Sequence, residues 1–205
     1  MPPGARVLDV GAGRMSLAEA ALQAAGYRAG VDLMATDLRQ NARLHGAAQA
    51  NANALPFPAG SFALVINQWV VEHFAQPEAA FAEMGRVLAP GGRMVFFTTN
   101  AQNYVPWLAR LVPDGLRGWI LRRLLRRPEH ESFPTYYRAN TRQAIAALAA
   151  AQGLELEKLE FIGNPFYLAF SVPLFRLALG FERWSDAPAR QHLKLYLVAS
   201  LRKPG

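Results

Sequence analysis

Asp9 stands just ahead of two closely spaced glycines in the run Val7-Leu8-Asp9-Val10-Gly11-Ala12-Gly13-Arg14-Met15. Gly11 and Gly13 let the backbone turn tightly and let a ligand approach where a side chain would obstruct it. A helix starting after such a turn offers free backbone N–H groups to that ligand. Three nucleotide-type readings compete. A phosphate-gripping loop requires a Lys-Ser/Thr pair after the glycines, and Arg14-Met15-Ser16 does not supply one. A dinucleotide turn requires a third glycine for close helix packing, where Met15 or Ser16 stands instead. A carboxylate at Asp9 repels a pyrophosphate and suits a cationic or zwitterionic ligand.

The elements that must position these residues follow from apolar patterning. Val7, Leu8 and Val10 suit a strand covered on both faces, as in a parallel sheet. Leu17, Ala21, Leu22 and Ala25 fall at helical spacing, so a helix is expected over residues 16–25, ended by Gly26. A second strand over 28–31 ends at Asp32 and Leu33, while Asp37, after Thr36, is expected to cap a short helix over 38–44. A short third strand over 47–50 leads to Asn51 and Ala52. Leu64-Val65-Ile66 forms a central fourth strand ending at Asn67, Gln68 and Trp69, and residues 94–98 a fifth ending at Thr99 and Asn100. Ligands in open parallel sheets sit beyond the carboxyl ends of the strands, so these tips face one crevice. A helix beginning near Pro77 with Ala80, Phe81, Met84, Val87 and Leu88 on its core face is broken by Pro90-Gly91-Gly92.

This half of the chain resembles the class I S-adenosylmethionine-dependent methyltransferases. Their first motif is Asp-x-Gly-x-Gly, found here as Asp9, Gly11 and Gly13 around Ala12. The run from Asn51 through Leu55-Pro56-Phe57-Pro58 to Phe62 is similar to a segment of their small-molecule branch, and so is Arg86-Val87-Leu88 before Pro90-Gly91-Gly92. Asn51 stands where the family has an acid for the adenine amino group; its amide oxygen can accept the same bond without the charge. Ala63 replaces a second acid, at a position read as structural. The resemblance implies S-adenosylmethionine as cofactor, held by Asp9, Gly11, Ala12, Gly13, Asp32, Leu33, Asn51, Ala52, Asn67 and Gln68, with Asp32 accepting the ribose hydroxyls. It covers residues 6–100 closely and the remainder loosely. It implies a Rossmann-like α/β three-layer sandwich, a mostly parallel seven-stranded sheet with an antiparallel last strand.

Residues 101–190 are expected to carry substrate specificity, after a cofactor half over 1–100 and before a closing strand over 191–205, within one domain of 205 residues. Leu154, Leu156, Leu159 and Phe161 predict a sixth strand with a change of phase, and 193–201 a last one. Trp69, Asn100, Tyr136, Tyr137 and Arg138 are the candidate acceptor contacts. Phe133-Pro134-Thr135-Tyr136-Tyr137-Arg138 reads either as a lid over substrate or as a packed loop capping a helix over 141–152. His73 is the candidate base, since imidazole exchanges protons near neutral pH; its other reading is a hydrogen bond at the start of the helix near Pro77.

No cysteine is present, which excludes disulfides and thiolate metal sites, and the opening residues lack the shape of a signal peptide, so a cytoplasmic setting is expected. His45, His73, His130 and His192 form no metal-ligand pattern. The net charge of +7 rests mainly on arginine. Leu116, Trp119, Ile120 and Leu124 interleaved with Arg117, Arg122, Arg123, Arg126 and Arg127 predict a basic amphipathic helix, read as a surface helix in preference to a membrane contact. No interleaved aromatic and basic stripe points to nucleic acid. The expected partner is a small-molecule acceptor or a glycan- or lipid-linked one. The rival readings are a non-catalytic binding protein of the same fold, motivated by Asn51, Met15 and the few residues before the first strand, and a nicotinamide-dependent reductase, disfavoured by Asp9.

Overall fold

The computed structural model describes residues 4–15, 23–111 and 133–205. The strands are β1 (Arg6–Val10), β2 (Tyr27–Asp32), β3 (Gly46–Gln49), β4 (Phe62–Gln68), β5 (Leu88–Thr99), β6 (Glu155–Ile162) and β7 (Tyr196–Arg202). They form one seven-stranded sheet in the order β3-β2-β1-β4-β5-β7-β6. The first five pair in parallel, and β7 runs antiparallel between β5 and β6. This is the Rossmann-like, mostly parallel α/β sheet expected from the sequence. The described helices are α1 (Ala35–Leu38), α2 (Pro77–Val87), α3 (Tyr104–Leu111), α4 (Arg142–Ala151) and α5 (Val172–Ser185). None is long and apolar enough to cross a membrane.

The parallel strands are apolar on both faces because both faces are covered. Leu8, Val10, Val65, Met94 and Phe96 enter the main core with Ala80, Phe81, Met84 and Val87 of α2 and Ile145, Leu148 and Ala149 of α4. Val7 and Ile66 pack on the opposite face beside Leu64 and Val95. Pro77 occupies the first turn of α2, where its missing N–H costs no helical bond. The Thr141 hydroxyl accepts from the Ala144 N–H at 3.2 Å and starts α4.

Several expectations need correction. Asp37 does not cap a helix over 38–44: it lies inside the short α1 and its carboxylate pairs with the Arg14 guanidinium at 3.0 Å. The third strand begins one residue earlier than expected. Pro90-Gly91-Gly92 does not separate α2 from a short strand, because β5 starts at Leu88 and runs through it. Gly91 takes φ +75° there. The Gly91 N–H donates to the Lys203 carbonyl at 3.0 Å and the Lys203 N–H to the Gly92 carbonyl at 2.9 Å, so the chain leaving β7 supplies the pairing that a lone turn lacks. The last strand begins at Tyr196, since the residues before it form a 3-10 turn over Pro188–Leu193. The phase change in β6 is a register shift between Leu156 and Lys158. The helix expected over 16–25 falls mostly outside the described residues, and the arginine-rich helix and His130 fall wholly outside them.

Gly11 sits at φ +75°, and a Cβ there would overlap the Val70 Cγ2 methyl. Its role is therefore to let the chain after β1 close on Val70. Gly11→Ala is expected to destabilise the fold by about 1–3 kcal/mol through left-handed strain and overpacking. Adding Val70→Ala should recover only the steric part, read as the urea midpoint of the single and double variants.

Candidate active site

The strand order reverses between β1 and β4, since β2 and β3 extend one way from β1 and β5 extends the other way from β4. In open parallel sheets a reversal of this kind marks where a ligand crevice forms, beyond the carboxyl ends of the strands. Val10 of β1 lies beside Asn67 of β4 there.

The glycine turn is clasped to the tip of β2. The N–H groups of Gly11 and Ala12 both donate to the Val31 carbonyl, at 2.8 and 3.0 Å, and the Gly13 N–H donates to Asp32 Oδ2 at 2.9 Å. Asp32 Oδ1 accepts from the Met34 N–H at 2.9 Å. The turn's amides are thus used inside the protein instead of being left for a ligand. From below, buried Asn41 donates to the Ala12 and Gly13 carbonyls, each at 3.2 Å. The sequence reading missed Asn41, which lies in a polar stretch with no periodic signal. Asp9 is buried within β1.

The other expected cofactor contacts divide. Leu33 is exposed beside Asp32. Asn51 is exposed, and its Oδ1 accepts from the Asn53 N–H at 3.0 Å, with Ala52 between them in the turn. Asn67 is buried, and its amide points at Met84 Sδ of α2, 3.5 Å away, so its side chain faces the core and only its backbone borders the crevice. Gln68 projects to the opposite face.

On the acceptor side, Trp69 takes φ 59° and Tyr137 φ 53°, a conformation costly for bulky residues and concentrated where structure is strained for a purpose. The Trp69 indole stands edge-on to Phe97 and Tyr196, with ring centroids 4.5 and 4.9 Å away. Residues 133–141 lie against the turn after β4. The N–H groups of Tyr136 and Tyr137 donate to the Glu72 carbonyl at 2.8 and 3.2 Å, and the Arg138 guanidinium donates to the Ala75 carbonyl and sits 5.6 Å from the exposed Tyr136 ring. His73 Nδ1 lies 2.8 Å from the Pro134 carbonyl and its ring abuts Phe133. A carbonyl only accepts, so Nδ1 is the donor, and in the neutral ring Nε2 holds the lone pair. Asn100 is not placed to meet an acceptor. It is fully buried, and its amide donates to the His192 and Lys194 carbonyls, each at 2.7 Å, tying the end of β5 to the entry of β7.

A family model described as a methyltransferase domain matches residues 8–96. A ubiquinone biosynthesis O-methyltransferase of Thiobacillus denitrificans is 33% identical over 168 residues, 76% of this chain and 67% of the relative. The chain belongs to the class I S-adenosylmethionine-dependent methyltransferases. A second enzyme of the same name, from Bordetella avium, is 31% identical over 170 residues, 74% of this chain and 66% of its own. The chain spans about half the length of several other curated relatives it matches. The solved S-adenosylmethionine-dependent methyltransferase of Mesorhizobium loti has the same fold, with TM-score 0.67 and 18% identity over 99% of this chain and 94% of that one.

S-adenosylmethionine is the cofactor of this methyltransferase family, and the crevice suits its ribose. Among the described residues, a Cβ on Gly13, at φ +45°, would meet nothing nearer than Asp32 Oδ2 at 4.0 Å, so they leave space above the turn and beside the carboxylate. Each Asp32 oxygen accepts one amide and retains a lone pair for a hydroxyl.

Behind His73 the methyltransferase buries an acid that no sequence pattern marks. Glu72 is 5% exposed, and its Oε2 accepts from the Thr98 hydroxyl at 2.6 Å. Asn140 donates to Thr98 Oγ1 and to the Thr99 carbonyl, both at 2.8 Å. Burial pushes the Glu72 carboxyl above its ordinary 4.5, against the opposing hydrogen bond from Thr98. Folding therefore favours the protonated acid. Its contribution to stability is fully present below the unfolded carboxylate's pKa and is lost as pH rises through the higher folded value. Glu72→Gln, which cannot ionise, should flatten the fall in melting temperature of the wild-type protein above pH 4.5. Parallel melting curves of the two proteins across that range would disprove the assignment.

Proposed function

We propose that this methyltransferase transfers a methyl group from S-adenosylmethionine to a hydroxyl of a small, largely apolar acceptor, with His73 as the base. The observation that carries the reading is the hydrogen bond between His73 Nδ1 and the Pro134 carbonyl. It holds the Nδ1–H, which leaves the Nε2 lone pair, a few residues past the end of β4, free to take a proton. The naming of two relatives as O-methyltransferases of ubiquinone biosynthesis supports oxygen as the acceptor atom.

When bound, the cofactor would supply an electrophilic sulfonium methyl group: as the acceptor oxygen bonds to the methyl carbon in line, the carbon–sulfur bond breaks and S-adenosylhomocysteine leaves. Asp32 would accept the ribose hydroxyls, and Asn51 Oδ1 the adenine amino group with the lone pair that Asn53 leaves unused. His73 Nε2 takes the acceptor's hydroxyl proton, raising the electron density on the attacking oxygen, and the Pro134 carbonyl keeps the ring oriented as it becomes imidazolium. A cleft of about 370 Å³ lined by Tyr104, Trp107, Leu108, Phe181 and Leu193 adjoins the end of β5 and supplies apolar walls for the rest of the acceptor. Trp69 and Tyr136 border the same end of the sheet, where they exclude water from the reacting groups.

His73→Ala is expected to lower turnover by roughly 10²–10⁴ while S-adenosylmethionine affinity stays within twofold, roughly the scatter of single-site effects. Acceptors would be found by screening phenols and lipid extracts with methyl-labelled cofactor, and affinity measured by calorimetry. Loss of cofactor binding and thermal stability together, with turnover per folded molecule intact, would make His73 a structural residue.

A further inference from the structure

Helix α5 carries more apolar surface than the fold covers. Its inward side is used: Ala178 and Ser185 are buried, and Phe181 stands edge-on to Tyr104 of α3 at 5.0 Å. Its outward side is apolar as well, with Leu177 70% and Trp184 49% exposed, preceded by exposed Phe166, Phe170 and Val172. Leu177, Phe181 and Trp184 recur at the spacing of one helix stripe, so an unbroken apolar strip runs from the cleft to the surface. A helix apolar on two sides has a second apolar surrounding to meet.

The charges beside the strip identify that surrounding. Arg176 and Arg183 follow it along α5, both exposed and neither with an acidic partner among the described residues. The Arg190 guanidinium lies 4.5 Å from the centre of the Trp184 ring and donates to the Trp184 carbonyl at 2.7 Å. Of the nearby acids, Asp186 pairs with Lys194 at 2.5 Å, and Glu182 is half-buried, where it accepts the Asn164 N–H at 2.9 Å. Among the described residues the exposed charge beside the strip is therefore mainly basic, in a chain of net charge +7. A second copy of the chain docked symmetrically would bring these arginines against their own equivalents.

We propose that α5 docks the protein on the surface of an anionic lipid bilayer. The helix lies in the plane of the interface, with Leu177, Trp184 and Val172 among the acyl chains and Arg176, Arg183 and Arg190 at the phosphate level. At 14 residues α5 is too short to span. The docking does not depend on the chemistry assigned to His73.

The test is flotation of the purified protein with vesicles of phosphatidylcholine and phosphatidylglycerol in equal parts, beside vesicles of phosphatidylcholine alone. Binding is expected only to the anionic vesicles, weakening as salt screens the phosphates, with a blue shift of tryptophan emission that Trp184→Phe removes. The double variant Leu177→Ser/Trp184→Ser should reduce the bound fraction at least about tenfold, since these apolar contacts anchor the helix. Arg176→Gln and Arg183→Gln should each cost about fivefold. Circular dichroism should be unchanged throughout, because all four residues are exposed. Wild-type protein that fails to float, or variants that float as well as wild type, would overturn the proposal. So would a dimer in sedimentation that the apolar double variant dissolves, which would make a second copy the occupant.

Discussion

Three consecutive amides, those of Gly11, Ala12 and Gly13, bond to the last turnings of the neighbouring strand, at the Val31 carbonyl and the Asp32 carboxylate. The rest of the crevice depends on this clasp. It fixes the turn after β1 to the tip of β2, and the reversal of strand order beside β4 then determines where a ligand can enter. Asp32 is oriented by two backbone N–H groups. A carboxylate so held presents its remaining lone pairs in a fixed direction, which would lower the cost of ordering it around the ribose proposed to bind there. Gly11 is required by packing against Val70, and Gly13 by its positive φ and the open space above it.

The acceptor side is attached to this frame by buried polar groups. Asn140 and Glu72 meet at Thr98, the Glu72 carbonyl holds the amides of Tyr136 and Tyr137, and Asn100 binds the approach to β7. Buried networks of this kind are costly unless satisfied, and they set one arrangement over its neighbours. They explain how a segment distant in sequence comes to lie against the end of β4 with Tyr137 in a left-handed conformation.

Much of this was legible in the sequence. The parallel strands read as apolar runs because both faces are covered, the glycine turn announced itself through Asp9, Gly11 and Gly13, and Pro77 marked the start of α2. Asp32 was separated from Asp37 by its place at a strand tip, and the structure puts the two in different roles: Asp32 on the turn, Asp37 on Arg14. What was not legible depends on long-range polar contacts, which leave no periodic signature. Asn41 under the turn, the Glu72, Thr98 and Asn140 group, and the structural use of Asn100 are all of this kind. The continuation of β5 through Pro90-Gly91-Gly92 was hidden for the same reason, since its partners come from Lys203 at the far end of the chain.

The most direct measurement is a crystal structure of the protein with S-adenosylhomocysteine. The ribose hydroxyls are expected within hydrogen-bonding distance of both Asp32 oxygens, with the amides of Gly13 and Met34 still donating to them. A nucleoside bound away from Asp32, or one that displaces those amides to reach it, would contradict the clasp as the basis of the cofactor site.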